Sequence, residues 1–400
     1  MNKMTETSRE ETPFQMPDIL RGGYRPFFLG GALWALIVVG LWISALSGAV
    51  TLPTSFDPLA WHRHEMLFGY LGAVIAGFLM TAIPNWTGRL PIAGGRLAAL
   101  VGLWLAARLA VLFSAYVGLV AAMIIDVGFL LVLAAVCARE VIAAKNRNFP
   151  VILIILLFAA ASALDHAEAL GVPLTAGLGW RAGFALVLML ISVIGGRIIP
   201  SFTRNWLSKQ GRKTGLPGQP ALFDKITLAV TAIALFGWTM FPEARSVANL
   251  LLAAGAVQAV RLGRWCGYRT SRDPLVFILH IAYAWLPLGL LLLGTSIIVP
   301  VVPVTSALHA LSAGTMASMT LAVMTRATLG HTGRALRADV PTQAIYIFVT
   351  LGAAIRVAAP LLPFDYRHAI ELAGALWGGA FLLFVISYGP KLVGPRPDSR

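Results

Sequence analysis

The chain has 400 residues, of which 58% are apolar and only 12% charged; that leaves too few polar positions to clothe a water-soluble surface, which excludes an ordinary globular enzyme and specifies a membrane protein. The formal charge of +14 is not gathered into a basic domain but spread between apolar stretches, so no nucleic-acid partner is expected and the primary partner is the lipid bilayer. Two isolated cysteines, Cys137 and Cys266, exclude a disulfide framework and a thiol-rich metal site.

Residues 1–25 are polar and mixed in charge, without the apolar core and cleavage site of a signal peptide, and are expected to remain as a cytoplasmic segment. Apolar runs of about 20 residues then predict helices near 26–48, 60–83, 95–115, 117–138, 149–171, 178–204, 223–242, 246–265, 274–295, 301–328, 341–362 and 366–389. The expected architecture is an all-α, polytopic integral membrane protein, with one 12-helix domain over 26–390 and a cytoplasmic tail over 391–400.

Orientation follows from the loops. Of the 31 Lys and Arg, four (Arg63, Arg181, Arg245, Arg367) fall on one side, two (Arg108, Arg356) inside spans, and the other 25 on the opposite side. The positive-inside rule then places both termini in the cytoplasm. The longest loop, Lys209 to Lys225, is basic, rich in Gly and Pro, and expected to be a solvated tether.

A four-helix period is suggested by Ile83-Pro84-Asn85-Trp86-Thr87 at the end of the second span and Ile199-Pro200-Ser201-Phe202-Thr203 at the end of the sixth. Intramembrane charge costs about 2.5–3.5 kcal/mol per group and is normally paired. Arg108 and Asp126 are equidistant from the turn near residue 117, as are Arg356 and Glu371 from Leu362-Pro363-Phe364. Two buried ion pairs, structural in role, are therefore predicted, each in the last hairpin of a four-helix unit.

Seven histidines are candidate metal ligands: His62, His64, His166, His280, His309, His331 and His368. In Trp61-His62-Arg63-His64-Glu65-Met66, a helix places His62 on the face of Glu65 and Met66 and turns His64 about 200° away. That makes His62 the better inward candidate and leaves His64 for a loop or a second metal. Gly69, Gly72, Ala73, Ala76 and Gly77 offer a face of small side chains to a neighbouring helix or a flat macrocycle. His309, followed by Ser312, Gly314 and Met316, stands like His62 about 20 residues above the far end of its span, so the two lie within roughly 5 Å in depth and are placed to clamp a haem iron. The alternative is that each merely hydrogen-bonds to backbone. At the other face His280 and His331 could build a second site, with Arg197, Arg204, Arg326 or Arg334 near it; otherwise His280 is a core histidine and His331 a helix cap. His166, near Asp165 and Glu168, and His368 are expected at the surface. Methionines such as Met66 and Met316 are soft enough for copper, but as a class they more often fill cores.

Three motifs in order, WHRHEMLFGY (Trp61 to Tyr70), GGRIIPSFT (Gly195 to Thr203) and RATLGHTGR (Arg326 to Arg334), resemble the NnrS family of bacterial membrane proteins from about Tyr24 to the last span. The resemblance implies haem, here expected as b type, and copper, with a role in nitrogen-oxide metabolism and protection against nitric oxide; it assigns no metal to a particular histidine. By analogy of fold only, twelve helices in three four-helix units are similar to haem-copper oxidases, whose low-spin haem ligands sit where His62 and His309 do. The sixth and seventh spans contain no histidine, so the three-histidine catalytic site of those enzymes is not expected. The functions to be weighed are a haem protein that binds nitric oxide or moves electrons, a nitric oxide reductase or quinol oxidase, and a secondary transporter with two buried Arg–acid pairs. Arg63 and Arg181 are guessed as partners of haem propionates.

Overall fold

The computed structural model describes residues 16–397 except 147, 219 and 364. Most of the expected N-terminal segment, the end of the tail, and Phe364 in the last hairpin turn lie outside the described residues. Twelve helices are long and apolar enough to cross a membrane: α1 Tyr24–Leu46, α2 Pro58–Thr87, α3 Gly94–Leu112, α4 Leu119–Ala143, α5 Pro150–Ala169, α6 Leu178–Lys209, α7 Leu222–Met240, α8 Arg245–Gly263, α9 Pro274–Ile298, α10 Val304–His331, α11 Val340–Leu361 and α12 Tyr366–Val393. They match the predicted spans one for one, and the described residues include no strand. The chain is a multi-pass membrane protein.

Local chemistry starts several of these helices. Asp57 accepts from the N–H groups of Leu59 and Ala60 at 3.0 and 3.2 Å, Asp273 from Leu275 at 3.0 Å, Asp339 from Thr342 at 3.0 Å, and Asp365 from Arg367 and His368 at 2.8 and 3.2 Å. Each carboxylate satisfies amides that the first turn leaves unpaired, and Pro58 and Pro274 add a preset φ where no N–H is needed.

Consecutive helices pack as antiparallel neighbours, and α12 returns to pack on α1, closing a ring. In their most apolar stretch, 72% of residues are buried in α2 and in α10, 61% in α9 and 56% in α6, against 33–44% in the others, so α2 and α10 are the innermost helices. α6 touches both α2 and α10, and the Tyr70 hydroxyl of α2 hydrogen-bonds Thr320 of α10.

Both α2 and α10 widen into a π-helical segment, Glu65–Tyr70 and Ala310–Met316, directly after the turn that carries their histidines. A π turn shifts hydrogen bonding to i→i+5 and rotates every later side chain relative to an α-helical wheel. The small-residue face of α2 is largely taken by α1. A Cβ on Gly77 would meet the Phe28 ring at 2.8 Å, and Gly31 of α1 lies against Ala73, so close packing of helices accounts for it.

One expectation is corrected. The expected symmetry between the two charged hairpins fails: Glu371 is exposed and pairs with Arg367 at 2.9 Å on its own helix, while Arg356 leaves a buried Nη1 without a hydrogen-bond partner. Equal depth fixed their height but not the direction each side chain takes around its helix. The loop between α6 and α7 is largely exposed, as expected, and is pinned where Arg204 donates to the carbonyl of Pro217 and Arg269 to that of Gly215 at 2.8 Å. The two Ile-Pro motifs also differ in setting. α2 stops at Gly88 in a left-handed conformation (φ 68°), whereas α6 continues to Lys209.

Candidate functional site

Helices α2 and α4 begin, and α3 and α5 end, at the same membrane face, and their charged side chains converge there. Asp126 is the hub. Its Oδ2 accepts from Ser162 at 2.8 Å and meets Nε2 of His64 at 3.1 Å and Nε2 of His166 at 3.2 Å, while Oδ1 takes Arg108. The second ring nitrogen of His64 lies 2.8 Å from Asp165. Arg108 also reaches Glu65 at 2.7 Å, and the same Glu65 oxygen accepts from the Trp34 indole at 2.5 Å. Arg63 stands 3.8 Å from Asp165 at the outer rim.

Except for Arg63, these groups are buried. Carboxylates only accept, so with no ion between them His64 donates from both nitrogens and carries a positive charge. Arg63, His64 and Arg108 then balance Glu65, Asp126 and Asp165. Such balance is what makes ionised groups tolerable in a low-dielectric interior. The predicted Arg108–Asp126 pair is therefore real but part of a larger network. Glycines make room for it: a Cβ on Gly69 would lie 2.4 Å from Glu65 and 2.5 Å from Arg108, and one on Gly179 of α6 would lie 2.3 Å from the Asp165 backbone nitrogen.

His166 was expected at the surface and is fully buried. His166 lies within the predicted span, and in α5, helical to Ala169, the i, i+4 spacing of Ser162 and His166 puts both on the face toward α4 and Asp126. That i, i+4 pair opposite an intramembrane Asp was the signal available in the sequence.

His62 and His64 diverge as the wheel requires, but it is His64 that is fully buried. His62 stacks on Trp42 with ring centroids 5.0 Å apart; its Nδ1 is buried without a partner, and it is near enough to His309 to interact electrostatically. His309 has Nδ1 at 2.7 Å from the Thr305 carbonyl, so that nitrogen donates and Nε2 remains free. Arg356 acts on His309 through its charge. His62 and His309 thus stand in the opening turns of α2 and α10, at the same membrane face.

The remaining candidates are dispersed. His280 bonds Thr203 through Nε2 at 2.7 Å, His331 packs against Tyr24 at 5.4 Å, and each thus has its own partner. Arg197 is exposed, Arg326 lies 4.1 Å over the Phe202 ring, and Arg334 has a buried Nη1 without a partner. Met316 is buried and Met66 half-buried among apolar neighbours. Arg181 is held by the carbonyls of Thr239 and Ala176. His368 is exposed, as expected. A second buried network was not anticipated: Arg261 of α8 reaches Asp224 of α7 at 2.8 Å, the Ser192 carbonyl at 3.0 Å and the Tyr283 hydroxyl at 3.1 Å.

The family profile described as NnrS protein matches residues 18–396. The chain belongs to the NnrS family. A comparison with curated proteins found no match. In this NnrS-family chain the three motifs occupy two places. WHRHEMLFGY supplies the histidine layer, whereas GGRIIPSFT and RATLGHTGR meet each other at the opposite face, where Arg326 covers Phe202.

Proposed function

We propose that the protein is a haem- and copper-binding component of the bacterial inner membrane that acts in the response to nitric oxide, with both termini cytoplasmic and His62 and His309 as axial ligands of a b-type haem near the periplasm. The observation that carries this reading is the place of two imidazoles in the opening turns of two inner helices at one membrane face, each with a ring nitrogen left for a ligand. The His309 Nδ1–H is spent on the Thr305 carbonyl, an arrangement that fixes the tautomer and presents Nε2 as a ligand. His62 keeps a buried, unpartnered ring nitrogen, which is a cost unless something binds there. Two neutral imidazoles suit haem iron.

Haem would supply one-electron chemistry and an iron that takes diatomic ligands. The chain's own residues hold and tune. Trp42 fixes the His62 ring by stacking, and Arg356 supplies positive charge beside His309. Held by both histidines, the group would serve electron transfer; for nitric oxide to bind, one of the two would have to give way. Buried Arg108 and Arg261 are each paired with carboxylates, which weighs against a transport pathway, and α6 and α7 contain no histidine, which weighs against a three-histidine reductase centre.

Reduced-minus-oxidised spectra of purified wild type, His62→Ala and His309→Ala, with and without nitric oxide, test the reading. A haem spectrum lost in both folded variants supports it. A wild type without haem after growth in ample iron would remove it.

A further inference from the structure

We propose that His64, Asp126 and His166 form a site for one divalent first-row transition-metal ion of the copper or iron class, on the other side of α2 from His309. The proposal deepens the reading above by placing its non-haem metal, and rests on that reading only for which metal is native.

The donor atoms are Nε2 of His64, Nε2 of His166 and Oδ2 of Asp126, all within 4.8 Å of one another, with 3.1 and 3.2 Å from the carboxylate oxygen to the two nitrogens. Metal bonds of about 2.0–2.1 Å put adjacent ligands about 3.3 Å apart around a tetrahedral ion and about 2.9 Å around an octahedral one, by the geometry of those bond lengths. The spacing here falls between the two. The rings meet at 75° with centroids 4.7 Å apart, so they converge on the oxygen from different directions rather than stacking. Hydrogen bonding alone leaves this arrangement lopsided: one oxygen serves three donors, while the buried Nδ1 of His166 has no partner.

The surroundings are those of an oriented ligand set. Asp165 holds the outer nitrogen of His64 at 2.8 Å, the carboxylate–histidine arrangement that aligns a ligating ring. Arg108 occupies the other oxygen of Asp126, so that carboxylate is left to bind through one atom. Phe56 and Phe68 pack against His64 at 5.3 and 5.0 Å and limit water. Two imidazoles and a carboxylate without thiolate suit divalent iron, copper or zinc better than monovalent copper, calcium or magnesium. Three protein ligands leave a position for a small exogenous one. Arg63, 30% exposed and resting 4.9 Å over Trp180, caps the buried Asp165 and is the side chain an incoming ion would have to pass.

The test uses the full chain in detergent, stripped with chelator and titrated with Co²⁺ as the probe. The expected result is one equivalent bound with visible bands of a nitrogen–oxygen site, displaced by Cu²⁺ as the divalent stability order requires. His166→Ala should weaken binding by at least about a hundredfold, since it removes a direct ligand where outer partners alone are worth 10–100-fold, and should leave the haem spectrum in place. His62→Ala should lose haem and keep the cobalt bands. A wild type that binds no Co²⁺, or a His166→Ala protein with wild-type affinity, overturns the proposal. If His166→Ala does not fold, electron paramagnetic resonance of wild type loaded with Cu²⁺ decides: coupling to two imidazole nitrogens supports the site and its absence overturns it. Cobalt bands in a wild type devoid of haem would defeat the haem reading and leave this one standing.

Discussion

Arg108 reaches Glu65 at 2.7 Å with neither side chain exposed to any degree, and the same guanidinium holds Asp126. Removing Arg108 alone strands two carboxylates in a low-dielectric layer, for which a loss of about 3–5 kcal/mol is the expected scale. The partner to remove with it is Glu65 rather than Asp126. In the metal-free protein, Arg108→Met with Glu65→Met leaves Arg63 and His64 balanced by Asp126 and Asp165, whereas loss of Asp126 also breaks its bonds to His64, His166 and Ser162. In detergent, thermal unfolding should rank the Glu65/Arg108 double variant above Arg108→Met alone. A double variant as poor as or worse than the single one would refute this charge accounting.

The sequence carried the helices and their order because each span is a continuous apolar run, and it carried the Arg108–Asp126 pair because distance from a turn sets depth. Depth says nothing about direction around the helix, which is why Arg356 and Glu371 part company. The π segment at Glu65–Tyr70 is equally hidden, since no residue type demands it, and it begins at the buried Glu65. His166 was missed although the predicted span 149–171 already held it: the acids beside it suggested a surface turn, whereas its face of the helix is turned toward Asp126.

Gly69 and Gly72 separate a close approach from ordinary packing. A methyl on Gly69 would sit 2.4 Å from Glu65 and 2.5 Å from Arg108, whereas one on Gly72 has its nearest neighbours at 4.0 Å. Gly69→Ala should destabilise by about 1–3 kcal/mol, the scale of overpacking a filled interior. Gly72→Ala should be neutral or gain up to about 1 kcal/mol from helix propensity. Melting temperatures of the two variants side by side check this, and equal losses would contradict the geometry.

Glu371 and Arg356 should behave as strangers. Glu371→Gln removes an exposed contact to Arg367 and should shift stability by no more than about 0.5 kcal/mol. Arg356→Gln removes a cation whose charge acts on His309. With haem bound at His309 that cation disfavours the ferric state, so its loss should lower the midpoint potential by tens of millivolts. Redox titration of both variants separates the cases, and a potential moved by Glu371→Gln but not by Arg356→Gln would reverse the assignment.

Orientation can be read from the cysteines. Cys137 is fully buried in α4, whereas Cys266 lies just past the end of α8 and is partly exposed, on the face where the basic loops gather. A membrane-impermeant maleimide added to spheroplasts meets only the periplasmic side of the inner membrane. With both termini in the cytoplasm, Cys266 should stay unlabelled until the membrane is opened, and Cys137 should resist until the protein is denatured. Labelling of Cys266 in intact spheroplasts would invert the topology, moving the His64–Asp126–His166 layer to the cytoplasmic side and removing the periplasmic route past Arg63 by which an ion would enter.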